Sequence, residues 1–273
     1  MSPTVWTAGI YNLFSGGILN LIRQKTTPAE EGEALLVGIG FFLVIVLSYL
    51  LGSVNWAIVV SRVFYHDDIR RHGSGNAGTT NVLRTYGKRA AIVTFLGDGL
   101  KGVLAIVLAC LIFGFPISGT TLENGFVAYN IHYIHLITAA YLAAFFAMLG
   151  HIFPVFSKFR GGKGFATFLF TVMALNPIIC LILIGIFVLI VSGTHFVSLG
   201  SIMTVAFYPI LLGSFDSAIS HYGISVLFAF LMGVIVVWSH RANLKRLIAR
   251  TESKTYFFKK KTAPKAEDTE DAK

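Results

Sequence analysis

Three polar stretches of this chain carry the residue types that grip an anion. The first is Arg71-His72-Gly73-Ser74-Gly75-Asn76-Ala77-Gly78-Thr79-Thr80-Asn81-Val82-Leu83-Arg84. Its glycines turn backbone N–H groups toward a ligand without a Cβ in the way, and its hydroxyls and arginine complete a concave donor set. The second, Phe159-Arg160-Gly161-Gly162-Lys163-Gly164, places an ammonium in a glycine nest. In the third, His240-Arg241-Ala242-Asn243-Leu244-Lys245-Arg246, His240, Asn243 and Arg246 recur every three residues, so they share one side of a helix.

Each stretch also has a blander reading. The first can be a tight turn between helices. Lys163 can be a positive-inside anchor. His240 can cap a helix C-terminus, and His151, ahead of Pro154, can cap or pack. The spacing Gly73-x-Gly75-x-x-Gly78 matches a dinucleotide fingerprint, with Asp98 further on. That motif needs a preceding strand and a soluble βαβ unit, whereas membrane-length apolar runs flank it here. The pattern G-x-x-x-x-G-K-[ST] is absent.

The elements that must position these loops are apolar. Of 273 residues, 55% are hydrophobic and 13% charged, with mean hydropathy +0.73; soluble domains carry about 25% charge. The chain reads as an all-α integral membrane protein. Its net charge of +9 is banded: no Lys or Arg occurs from Gly102 to Ser157 or from Gly164 to Ser239. The cations gather at Arg62–Lys101, Lys158–Lys163 and Arg241–Lys261, which places those regions on the cytoplasmic side. No solvated basic face for nucleic acid is visible. Cys110 and Cys180 lie inside apolar runs and read as small buried hydrophobes.

Residues 1–33 read as an N-terminal extension, 34–252 as the membrane domain, and 253–273 as a cytoplasmic, disordered tail. About seven membrane segments follow from the runs Ala34–Leu51, Ala90–Phe115, His135–Phe156, Phe165–Leu175, Ile178–Ser192, Ile202–Leu212 and Gly223–Trp238; the fourth and sixth are short. An odd number puts the start of the first helix outside and the tail inside. Asp98 and Lys101 stand at i and i+3 within an apolar helix, where two charges must pair or face a polar cavity. Three anion-favouring loops on one membrane face, beside helices that can hold an acyl chain, suggest transfer of an acyl group to a phosphorylated alcohol.

The residues also match a family. Gly73-Ser74-Gly75-Asn76-x-Gly78-x-Thr80-Asn81-x-x-Arg84, Gly150-His151-x-Phe153-Pro154-x-Phe156-x-x-Phe159-x-Gly161-Gly162-Lys163-Gly164-x-Ala166-Thr167 and His240-Arg241-x-Asn243-x-x-Arg246-Leu247 resemble the bacterial acyl-phosphate:glycerol-3-phosphate acyltransferases of the PlsY type. Asp98-x-x-Lys101-Gly102 and Ser198-x-x-Ser201 fit as well, and the resemblance covers roughly residues 36–252. It implies a multi-pass enzyme of the bacterial inner membrane, working as a monomer without a cofactor. Acyl phosphate is the implied donor, glycerol 3-phosphate the acceptor and 1-acyl-glycerol-3-phosphate the product. The His-x-x-x-x-Asp dyad of acyl-CoA-using acyltransferases is missing.

By resemblance and chemistry together, Ser74, Arg84, Lys163, His240 and Asn243 are expected at glycerol 3-phosphate. Gly75, Asn76, Thr80, Asn81, Gly161, Gly162, Ser198 and Ser201 are expected around acyl phosphate, and Arg246 among the substrate-binding residues. The donor is an activated mixed anhydride, so catalysis needs mainly positioning and charge stabilisation. His240 is the best side-chain base, but a phosphate oxygen of the donor can take the proton, and that route is preferred. One departure stands out: the family's glycine shortly before Glu252 is absent, and Arg250 and Thr251 occupy that stretch. An organic-phosphate transporter and an acyl-CoA-dependent enzyme are the competing classes.

Overall fold

In hydrocarbon a chain satisfies its backbone only by forming helices or a closed barrel, and the uncharged runs here form helices. A computed structural model of the protein describes residues 17–19, 22, 30–114, 120–121, 127–128, 131–215 and 222–255. In chain order its helices are α1 (Glu30–Ser53), α2 (Trp56–Tyr65), α3 (Thr79–Tyr86), α4 (Lys88–Phe113), α5 (Ile131–Ile152), α6 (Phe165–Leu175), α7 (Pro177–Thr194), α8 (Val197–Phe215), α9 (Tyr222–Ser239) and α10 (Arg241–Ile248). The described strands, β1 (Thr120–Thr121) and β2 (Val127–Ala128), pair antiparallel between α4 and α5. Most of the N-terminal extension, part of the 116–132 loop and the tail beyond Thr255 lie outside the described residues.

Among the described residues, each of the seven expected membrane runs is helical, but the lengths differ from expectation. Among the described residues, five stretches are long and apolar enough to cross a membrane: Gly32–Tyr65, Lys88–Phe113, Ile134–Ser157, Pro177–Thr194 and Val197–Phe215. A sixth results if α9 and α10, bent by 60° at His240, count as one. The run at Ile202–Leu212 belongs to the 19-residue α8, so it is not short. The 11-residue α6 stays short. The first run is broken, with Asn55 outside both α1 and α2. Asn55 accepts the Ile58 N–H at 3.1 Å and so starts a new helix. Its Nδ2 donates to Ala77 O at 3.2 Å, which ties that break to the first glycine loop.

Helix α5 is central and packs against α1, α4 and α9. Its contact with α1 is backbone to backbone: a Cβ at Gly52 would lie 2.1 Å from Ala147 O, and one at Gly150 2.2 Å from Tyr49 O. Small residues permit such an approach, which dispersion and polar contacts then stabilise in lipid. Tyr49 reinforces it by donating to Phe153 O at 2.8 Å. Met148, Phe168, Leu183, Tyr208 and Met232 fill the core on the other side of α5. This frame fixes the C-terminal end of α5, from which the second glycine loop departs.

Candidate active site

The first loop is built around one side chain. Asn81, in the first turn of α3, is 3% exposed. Its Oδ1 accepts the Ser74 N–H at 3.1 Å, and its Nδ2 lies 2.9 Å from His72 O, 3.1 Å from Asn76 O and 3.2 Å from Ile69 O. Gly73 and Gly75 supply the positive φ values, +54° and +71°, that wrap the chain around it. Gly78 caps α3 without a side chain, so the first-turn N–H groups of Thr79 and Thr80 stay open to an anion at the pocket wall.

The second loop is pressed against the first. Gly161 and Gly162 donate their N–H groups to Ile152 O and His151 O at 3.2 and 3.1 Å. A Cβ on Gly162 would meet both His151 Nε2 and Ala77 O, at 2.1 and 2.7 Å. Beneath them lies a buried polar cluster. Lys101 Nζ contacts Val54 O at 2.8 Å, His151 Nδ1 at 2.9 Å and Asp98 Oδ1 at 3.0 Å. Three contacts suit the three protons of an ammonium, with His151 Nδ1 accepting one of them. Asp98 Oδ1 also accepts the Trp56 N–H at 3.1 Å. The pair that the i, i+3 spacing allows is therefore formed, and it joins α2, α4 and α5 under the loop.

The third stretch bends at His240, whose Nδ1 lies 2.8 Å from Val236 O. A carbonyl only accepts, so Nδ1 carries the proton and Nε2 is the ring's acceptor when neutral. Past α10 the chain doubles back. The Glu252 carboxylate accepts from Asn243 Nδ2 at 2.6 Å and from Ser198 Oγ and Arg246 Nε at 2.7 Å. Thr255 donates its N–H to His195 O at 2.9 Å, and Arg84 Nη2 donates to Thr255 Oγ1 at 2.8 Å.

These pieces enclose one cavity of about 750 Å³. Of the residues that the sequence singled out, Ser74, Asn76, Thr80, Asn81, Arg84, Lys163, Ser198, Ser201, His240, Asn243 and Arg246 line it. Phe95, Phe165, Leu169, Phe187 and Val197 give it an apolar wall. Gly75 and Gly161 do not line it; they face a different cavity. Gly162 lines neither, and its N–H is already used. Asn81 touches the cavity, but its amide is spent on the loop. Among the described residues, the buried Asn243 Oδ1 and Asp98 Oδ2 have no hydrogen-bond partner.

Burial pushes the Lys163 ammonium down to about 8, and the nearby Arg246 and Arg84 push the same way while Glu252 opposes them. Burial would raise Glu252, but hydrogen bonds from Asn243, Ser198 and Arg246 outweigh it and hold the carboxyl below its ordinary value. The central place of Glu252 was the point the sequence left open, and nothing in the sequence marked Thr255. His151 lines the cavity as well, which requires knowing where α5 ends.

Fold and cavity together define a multi-pass helical membrane protein whose cavity sets Arg84, Lys163 and Arg246 beside an apolar wall. The model of the glycerol-3-phosphate acyltransferase family matches residues 42–250, and the chain belongs to that family. It is 38% identical over 214 residues to a glycerol-3-phosphate acyltransferase of Clostridioides difficile (strain 630), covering 78% of this chain and 95% of that one. A glycerol-3-phosphate acyltransferase 2 of Bacillus cereus (strain ZK / E33L) is 36% identical over 219 residues, covering 80% and 97%. Among solved structures, the glycerol 3-phosphate form of PlsY (YgiH), an integral membrane glycerol 3-phosphate acyltransferase, superposes with a TM-score of 0.65 at 28% identity, covering 79% of this chain and 96% of that one. Its lysophosphatidic acid form gives 0.62.

Proposed function

We propose that this cavity transfers an acyl group from acyl phosphate to the 1-hydroxyl of sn-glycerol 3-phosphate, giving 1-acyl-glycerol-3-phosphate and inorganic phosphate. The observation that carries this reading is the make-up of one cavity. Arg84, Lys163 and Arg246 provide three cations, and a phenylalanine-rich wall lies beside them. Two phosphate groups and one acyl chain need that combination.

Ser74, Arg84 and Lys163 hold the phosphate of glycerol 3-phosphate, with His240 and Asn243 at its hydroxyls. The unpartnered Asn243 Oδ1 accepts from a substrate hydroxyl. Asn76, Thr80, Ser198 and Ser201 receive the acyl phosphate, with Arg246 beside them, and Asn81, Gly161 and Gly162 keep the loops in shape. The 1-hydroxyl oxygen attacks the acyl carbonyl, and the carbonyl–phosphate bond breaks. Its proton passes to a phosphate oxygen of the departing group. Phosphate is a good leaving group, so positioning and charge neutralisation supply most of the acceleration.

The cation bands support a bacterial inner-membrane setting with the cavity and C-terminus on the cytoplasmic face. One chain completes the cavity, which supports a working monomer. The test uses purified protein, glycerol 3-phosphate, and either palmitoyl phosphate or palmitoyl-CoA. Product with palmitoyl phosphate alone is expected. Product with palmitoyl-CoA overturns the donor assignment, and no product with either donor favours transport of an organic phosphate.

A further inference from the structure

The two glycine loops have a second face. Ser74, Asn76 and Lys163 line the catalytic cavity, whereas Gly75, between the first two in sequence, and Gly161, two residues before Lys163, line a separate cavity of about 610 Å³. Its remaining wall carries Arg70, Arg71, Lys158 and Arg160 against a single acid, Asp68.

That acid is already neutralised. Arg70 Nη2 lies 2.6 Å from Asp68 Oδ2, Arg70 Nε bonds both carboxylate oxygens, and Arg62 Nη2 stands 3.8 Å away. Hydrogen bonds from Arg70 outweigh burial and hold the Asp68 carboxyl down to about 2, so it stays ionised and matched. Arg70 Nη1 donates to Ser157 O at 3.1 Å and joins the two loops at this cavity. Arg71, Lys158 and Arg160 are exposed, and among the described residues their side chains have no ion pair or hydrogen bond. Three uncompensated cations therefore share a concave wall.

The neighbouring surface is apolar. Directly after the membrane-length α5, Val155, Phe156 and Phe159 are 40%, 63% and 59% exposed. Phe159 separates two of the cations in sequence. Exposed aromatic rings interleaved with unpaired cations fit the boundary of a bilayer, with rings among the acyl chains and cations at the headgroup phosphates. Free phosphate shares the headgroup's chemistry but leaves those rings in water. A zwitterionic headgroup would bring its own cation against the arginines.

We propose that this second cavity binds the phosphate of an anionic phospholipid and so holds the outer faces of both catalytic loops at the membrane surface. The proposal needs no particular acyl donor. The full chain is placed in nanodiscs of phosphatidylcholine doped with phosphatidylglycerol, and the retained lipid is identified by native mass spectrometry. Wild type is expected to keep phosphatidylglycerol. R71Q/R160Q should lose it, at about fivefold per cation removed, and still form product in detergent. The control K88Q/R89Q removes the same charge from exposed residues outside this cavity and should retain the lipid. Equal loss in both variants reduces the effect to general surface charge and overturns the proposal. So does a wild type that keeps no phosphatidylglycerol. Displacement of a phosphate probe by inorganic phosphate, without lipid enrichment, assigns the cavity to free phosphate and overturns the lipid assignment.

Discussion

Gly162 lies so close to His151 that a Cβ on it would stand 2.1 Å from the imidazole Nε2. Ala77 O would be 2.7 Å away as well, so an added methyl has no room and the loop backbone must shift. His151 is itself fixed by Lys101. Gly162→Ala should therefore displace Lys163, the next residue. A misplacement of about 1 Å reduces turnover roughly a hundredfold. The expected outcome is a kcat reduced by one to two orders of magnitude, with helix content by circular dichroism unchanged. An alanine variant with wild-type kcat would show that the loop does not depend on this contact.

Lys163 makes glycerol 3-phosphate binding depend on pH. Burial pushes its ammonium down to about 8, so it is charged below that pH and neutral above it. A phosphate dianion binds the charged form, and binding takes up a proton when the free lysine is neutral. The KM for glycerol 3-phosphate should be flat between about 7, where its phosphate (second pKa about 6) is a dianion, and about 8, and rise above that, approaching tenfold per pH unit. Lys163→Arg keeps its charge at every accessible pH. Its KM should be higher below about pH 8, but the break there should vanish. A break that survives in the arginine variant belongs to another group.

How much of this was legible in the sequence follows from what each residue responds to. The loops with Ser74, Arg84 and Lys163 could be read because glycines, hydroxyls and cations between apolar runs have few other uses. The Asp98–Lys101 pair could be read because the i, i+3 rule is local. The roles of Asn81 and His151 could not. Asn81 spends its amide on carbonyls 5 to 12 residues away, and His151 meets partners 50 residues away on another helix. Gly75 and Gly161 look like cradle glycines by composition, but the fold of each loop turns them to the second cavity. The length of α8 was underestimated because Ser198, Gly200 and Ser201, which look like a turn, sit within its first turns.

His240→Gln separates the two candidate bases. The Nδ1–H of His240 is used on Val236 O, which leaves Nε2 as a hydrogen-bond acceptor for the attacking hydroxyl. Glutamine keeps a side-chain acceptor but has no basicity. If a phosphate oxygen of the donor takes the proton, kcat should fall less than about tenfold and its pH profile should keep its shape. General-base catalysis by a side chain is typically worth 10²–10⁴-fold, so a loss in that range assigns the proton to His240.

Glu252 holds three donors from two helices, Ser198 of α8 and Asn243 and Arg246 of α10. Glu252→Ala strands the Asn243 amide, which is 5% exposed, and leaves Arg246 without its counter-ion. A stranded buried group costs about 1–3 kcal/mol. The thermal midpoint in detergent should drop by several degrees, and the KM for both substrates should rise together because Ser198, Asn243 and Arg246 all line the cavity. Glu252→Gln keeps two acceptor lone pairs and should recover most of the midpoint. A Glu252→Ala protein with an unchanged midpoint would leave the carboxylate without a structural role.

Arg250 occupies the place where α10 must be left through a left-handed residue. Its φ is +57°, and the next residue, Thr251, donates its N–H to Arg246 O at 2.8 Å, closing the helix end. Glycine adopts this conformation without penalty, whereas a residue with a Cβ pays about 1–2 kcal/mol. Arg250 is therefore held in a backbone shape that favours glycine, in the stretch before Glu252 where the family resemblance leads one to expect a glycine. The Arg250 side chain is exposed and lines neither cavity. Arg250→Gly also gives the unfolded chain more freedom, which offsets part of the gain by up to about 1 kcal/mol. The net expectation is a thermal midpoint equal to wild type or a few degrees higher, with kcat and both KM values unchanged. Arg250→Val, with a β-branched side chain at positive φ, should lower the midpoint and loosen Glu252, raising both KM values. If valine is tolerated as well as glycine, the left-handed turn is not what delivers Glu252 to Ser198 and Asn243.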